Sequence, residues 1–158
     1  MMDVAFLNAM VFVGNDIVLE RATVLVQGDR LVKVVQGEAT VPRAIPRVDL
    51  AEHTLLPEFI DCHVHLCLGG GPDPASEARQ ASLPALTLHA ADSARRTLMA
   101  GVTSVRDMGG IGYVELAVRD AVRAGVIVGP RVHASGRLIC MTGGHGWLFG
   151  GRQADVWL

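Results

Sequence analysis

Apolar residues fall in short runs over the first fifty positions and in longer, helically spaced stretches after that. Val4-Ala5-Phe6-Leu7 and Met10-Val11-Phe12-Val13 read as two short strands before a turn at Gly14-Asn15-Asp16. Residues 23–27 and 30–35 flank Gly28-Asp29, a pattern that predicts a β-hairpin. Gly37 ends the second of these strands, and Pro42 and Pro46 mark a linker or edge. Val48-Asp49-Leu50 predicts one more strand, with Glu52-His53 in the turn after it. Residues 1–55 are therefore expected to form a small N-terminal β-sandwich segment. It carries no catalytic constellation.

From residue 56 the pattern changes. Residues 59–64 of Phe59-Ile60-Asp61-Cys62-His63-Val64-His65-Leu66 read as a short buried strand, of the kind found in parallel sheets covered on both faces. Residues 69–82, beginning Gly69-Gly70-Gly71-Pro72-Asp73-Pro74, read as a loop. It lacks the Gly-Lys-Ser/Thr ending of a phosphate-binding loop. Leu83, Leu86, Ala90, Ala94 and Leu98 form an apolar stripe that predicts a helix over 83–100, closed by Gly101. Residues 102–107 predict a strand, 114–124 a helix stopped by Gly125, and 131–136 a third strand, followed by Arg137-Leu138-Ile139-Cys140. Strand and helix alternate at a spacing of about 35 residues, which predicts βα units on a parallel sheet.

Composition narrows the class. At 158 residues the chain has room for one ordinary domain, or for a small domain plus part of a larger one. Half the residues are hydrophobic and 19% are charged, as in a globular protein with a substantial core. A formal net charge of -2 and the lack of a basic cluster argue against nucleic acid as a partner. No apolar run is long enough to span a membrane, and the start of the chain has no basic region ahead of an apolar one. The three cysteines, Cys62, Cys67 and Cys140, form no paired framework and fit free thiols in a reducing compartment, with Cys62 in the core. A cytoplasmic location is expected.

The candidate chemistry lies at the end of the first βα strand. Side chains alternate along a strand, so His63 and His65 share one side with Asp61 behind them, and Cys62, Val64 and Leu66 take the other. Two imidazoles side by side make half of a metal site. His53 reads as a solvated turn residue, His89 as a helix-surface or partly buried residue and His133 as a packed mid-strand residue.

The strand ending in His63 and His65, together with Ala100-Gly101-Val102-Thr103-Ser104-Val105-Arg106-Asp107, Gly129-Pro130-Arg131 and Thr142-Gly143-Gly144-His145-Gly146, resembles the metal-dependent amidohydrolase superfamily. The later motifs resemble its prolidase and imidazolonepropionase branch. The resemblance implies a TIM-type (β/α)8 barrel, of which residues 56–158 would supply the first three βα units, with one or two zinc ions at its C-terminal mouth. It implies that His63 and His65 are metal ligands and that His145 faces the substrate, the alternative being a loop histidine anchored among glycines. Arg106 and Asp107 are expected to contact substrate, or else to form an ion pair at the barrel rim.

In that family a metal-bound hydroxide attacks an amide carbonyl while an eighth-strand Asp shuttles the proton, and the remaining ligands are a carboxylated Lys or a Glu on a middle strand and His residues on the fifth and sixth strands. The one lysine here, Lys33, lies in the N-terminal segment and cannot play that part. Glu58 stands where the family usually has glycine. If that position needs a positive φ, glutamate there costs about 1 kcal/mol. The expectation is thus a zinc-dependent amidohydrolase of a dipeptide or cyclic amide, present as an N-terminal portion inactive alone and prone to self-association. The alternatives are a non-catalytic binding or scaffold remnant of the fold, and a lactonase or phosphotriesterase-type metal hydrolase.

Overall fold

The structure, a computed structural model, describes residues 3–141, 143, 144, 146 and 147. Two compact units divide the chain, Met1–Pro57 and Glu58–Leu158.

The first unit is one five-stranded sheet. β1 (Val4–Gly14) pairs antiparallel with β2 (Ile17–Gln27), which pairs antiparallel with β3 (Arg30–Val35). On its other edge β1 takes two short parallel partners, β4 (Arg47–Asp49) and β5 (Thr54–Leu55). The two strands expected over residues 4–13 are one continuous strand. Asn8 adopts φ 61 and adds an extra residue opposite β2, so Phe6 and Ala9 share a face although three positions apart. Arg21, at φ 50, does the same in β2, and Leu19 joins Ala22 and Val24 in that cluster. Strict alternation fails at these two bulges, which is why the pattern broke the strand at Asn8. The turn between β1 and β2 uses Asn15 and Asp16 at φ 50 and 61, the left-handed pair that a two-residue hairpin loop requires.

The second unit is a parallel three-stranded sheet in the order β6 (Phe59–Val64), β7 (Val102–Asp107), β8 (Arg131–Ala134). Two helices, α1 (Pro74–Gln80) and α2 (Leu83–Met99), connect β6 to β7, and α3 (Val114–Arg123) connects β7 to β8. α2 forms where its stripe predicts, burying Leu86, Ala90 and Ala94, with Ser82 capping its first turn and Gly101 at φ 93 beyond its end. α1 replaces part of the expected loop: Asp73 caps it through the Ser76 amide and Pro74 occupies its first turn. Leu66, Cys67, Val105, Val114, Val118 and Val132 pack with the α2 stripe into one core on the helix side of the sheet. No helix among the described residues is long and apolar enough to cross a membrane.

β6 is not the buried strand that its composition predicts. Phe59 is 54% and Ile60 59% exposed, and Cys62, expected in the core, is exposed as well. β6 is an edge strand, and the helices cover the sheet over β7 and β8. Only its C-terminal end, Val64 with Leu66 beyond it, reaches the core. The buried cysteine is Cys67.

Candidate metal centre

His63 is the penultimate residue of β6, and His65 lies just past the strand's end. Their rings approach edge to face, with centroids 5.3 Å apart and planes at 71°. Asp61 accepts the backbone amide of His63 at 3.0 Å, which steadies the strand under the pair. The turn beyond closes with the Leu68 amide donating to the His65 carbonyl at 2.9 Å.

His65 is fixed through its ring. Its Nδ1 lies 2.7 Å from the carbonyl oxygen of Gly109, in the loop after β7. A carbonyl only accepts, so Nδ1 carries the proton and the ring's lone pair sits on Nε2. A second link joins the same two loops. Asp107, fully buried at the end of β7, accepts the Leu66 amide on Oδ2 at 2.8 Å and the Gly109 amide on Oδ1 at 2.9 Å. Burial pushes its carboxyl above the ordinary value, while the two amides and the nearby His65 pull the other way. Asp107 does not form the ion pair with Arg106 that was one expectation for it. Instead its oxygens are spent on backbone amides, and Arg106, on the opposite face of the strand, donates from Nε to the Cys62 carbonyl at 2.7 Å.

Arg106 lies on the open face of the sheet, in register with His133 of β8, and both are exposed. His133 is therefore not the packed residue expected from its mid-strand position. His53 sits in an exposed turn with Nδ1 against the Ala51 carbonyl, and His89 is exposed on α2, both as the sequence suggests. His145 lies outside the described residues. Glu58 does not adopt a positive φ, so the expected strain is absent there. Its Oε2 accepts from the hydroxyls of Thr103 and Ser104 at 2.7 and 3.1 Å.

One group beneath the site has no sequence signal. Glu115, in the first turn of α3, is fully buried, and neither carboxylate oxygen has a hydrogen-bond partner. It packs against Gly110, where an added Cβ would overlap its Oε2. Burial raises its pKa, and the Asp107 charge adds to that; its own backbone amide and Arg119 oppose it.

With Zn–N bonds of about 2.1 Å, two imidazole centres on one tetrahedral ion stand roughly 5 Å apart, which matches this pair. A catalytic zinc takes three protein ligands. Among the described residues no group of three His, Cys, Asp or Glu is placed to hold a metal. His63 and His65 fit as two members of a larger set.

Residues 54–149 match the amidohydrolase family model, and the chain belongs to that family. Among curated relatives, an ochratoxinase of Aspergillus niger is 34% identical over 139 residues, covering 82% of this chain. The chain spans 27% of that relative's length. Among solved structures, a Xaa-Pro dipeptidase with bound methionine in its active site is similar with a TM-score of 0.78 and 28% identity, over 96% of this chain and 37% of that one. A prolidase complexed with N-methylphosphonate-L-proline gives a TM-score of 0.73 and 29% identity, over 90% of this chain and 34% of that one.

Proposed function

We propose that this chain carries the first-strand ligands of a zinc-dependent amidohydrolase that cleaves the C–N bond of a dipeptide or cyclic amide. The observation that carries this reading is the His63–His65 pair, at the spacing of two imidazoles on one ion and with the His65 tautomer set by Gly109. Similarity to a Xaa-Pro dipeptidase and a prolidase supports the substrate class. In this reading residues 1–55 contribute the observed sheet to a β-sandwich segment and 56–158 the first three βα units of a (β/α)8 barrel, with the remaining metal ligands outside the described residues. The free thiols favour a cytoplasmic setting.

His63 and His65, with further ligands, would hold a zinc ion that would supply a hydroxide nucleophile near neutral pH. His65 presents Nε2 and His63 stands beside it. Arg106, anchored through Nε to Cys62, keeps its terminal N–H groups on the open face to meet a substrate carboxylate, and His145 is assigned to the same substrate. The exposed Phe59 and Ile60 on the edge strand favour association of the isolated chain, which alone is expected to be inactive.

Cobalt(II) titration of the 158-residue chain, read by its visible absorption, tests the ligand assignment. The chain should bind at least tenfold more tightly than its His63→Ala and His65→Ala variants. Equal affinity in all three would refute the assignment and favour a scaffold that kept the fold without the chemistry.

A further inference from the structure

Two hydrogen bonds connect Asp107 to the His65 ring by way of one glycine, and a third ties it to the backbone beside that ring. Asp107 Oδ1 holds the Gly109 amide at 2.9 Å, and the Gly109 carbonyl meets His65 Nδ1 at 2.7 Å. Asp107 Oδ2 holds the Leu66 amide, the peptide that directly follows His65, at 2.8 Å. One buried carboxylate thus fixes both the backbone beside the imidazole and the loop whose carbonyl accepts its Nδ1–H. Gly109 needs that hold. Its φ of 126 is open to glycine but not favoured by other residues, and glycine has the widest range of alternatives to fall back to.

We propose that Asp107 is a positioning residue for His65: by anchoring the Gly109 amide it keeps the Gly109 carbonyl on Nδ1, and so keeps the ring's lone pair on Nε2, where a metal would take it. The functional meaning rests on the reading of His65 as a ligand, but the relay is a property of the metal-free chain. Asp107→Asn isolates it. The amide is nearly isosteric, but it accepts at one atom only, and its NH₂ group then faces one of the two backbone amides, donor to donor. Either Gly109 or Leu66 is released.

The test is a long-range 1H–15N correlation on the 158-residue chain labelled with 15N-histidine, recorded at pH 8. Wild type should show His65 protonated at Nδ1. In Asp107→Asn, His65 should move toward the Nε2–H form while His53, His89 and His133 keep their patterns, a change that a merely structural role would not confine to one ring. An Nε2–H tautomer in wild type, or an unchanged tautomer in a folded Asp107→Ala, which releases both amides whichever way an Asn side chain would turn, would overturn the proposal. Should circular dichroism show that the variant does not fold, hydrogen exchange on wild type decides. Slow exchange at both Leu66 and Gly109 supports the relay, and loop-like rates at either one sink it. Zinc affinity, expected to fall about tenfold in the variant, is read separately. A wild-type chain with the Nδ1–H tautomer but no zinc binding would remove the ligand reading and leave the relay standing.

Discussion

Glu58 and Thr103 meet across β6 and β7, with the Thr103 hydroxyl donating to Glu58 Oε2 at 2.7 Å and the neighbouring Ser104 hydroxyl donating to the same oxygen at 3.1 Å. Two donors on one carboxylate hold Glu58 below its ordinary pKa of 4.5; the positive field of Arg131 adds a little and burial opposes. The folded chain then binds a proton here less readily than the unfolded chain. The contribution is complete above the ordinary value and is lost as pH falls through the folded-state value. The melting-temperature difference between wild type and Glu58→Gln should therefore be constant from neutral pH down to about 5 and shrink at more acid pH. A difference that grows on acidification would contradict the paired carboxylate.

Glu115 has the opposite sign. Its folded-state pKa lies above 4.5, chiefly through burial, so ionising it costs stability as pH rises from the ordinary value through the folded one. Across that window wild type should lose about 1.4 kcal/mol per pH unit relative to Glu115→Gln, and nothing below it. Urea midpoints from pH 4 upward give the comparison. Parallel curves would mean that Glu115 has found a partner.

Gly109→Ala should be strongly destabilising. Besides its φ of 126, an added Cβ would lie 2.9 Å from Leu138 Cγ and 3.0 Å from the Gly136 carbonyl oxygen. Strain and overlap together are expected to cost about 3 kcal/mol. Gly70, which has neither a positive φ nor an atom within 4 Å of an added Cβ, is the control, and Gly70→Ala should change stability by less than about 0.5 kcal/mol. Chemical denaturation distinguishes the two.

Thiol reactivity should divide the cysteines. Cys62 and Cys140 are exposed, while Cys67 is buried and its pKa is pushed up to about 11, mainly by desolvation. Iodoacetamide at mildly alkaline pH should add to Cys62 and Cys140 in the folded chain and reach Cys67 only on unfolding. Peptide mass spectrometry identifies the sites. Rapid modification of Cys67 in the folded chain would contradict its place in the core.

The parts of this molecule that were readable in advance are those set by local periodicity. The α2 stripe, the hairpin at Gly28-Asp29 and the shared side of His63 and His65 all follow from spacing along one element. α1 was missed because a seven-residue helix that buries only Ala78 has almost no apolar period, although Asp73-Pro74 signals its start. The exposure of Phe59 and Cys62 was unreadable for a different reason. Apolar composition says that a strand wants cover, not whether a neighbour supplies it. The partnership of His65 with Gly109 spans 44 positions and is tertiary in origin, and Glu115 looks in sequence like any acid in a helix's first turn.

The stitching of the β6 loop to the β7 loop also bears on how this scaffold tolerates change. In βα architectures the loops at the strand ends are commonly treated as exchangeable parts, each altered without regard to its neighbours. Here the segments around His65 and Gly109 are a single heritable unit. A chimera with a crossover between β6 and β7 would have to import, with the new segment, a carboxylate in the place of Asp107 and a carbonyl in the place of Gly109. Recombination boundaries placed before Phe59 or after Gly110 keep that unit whole.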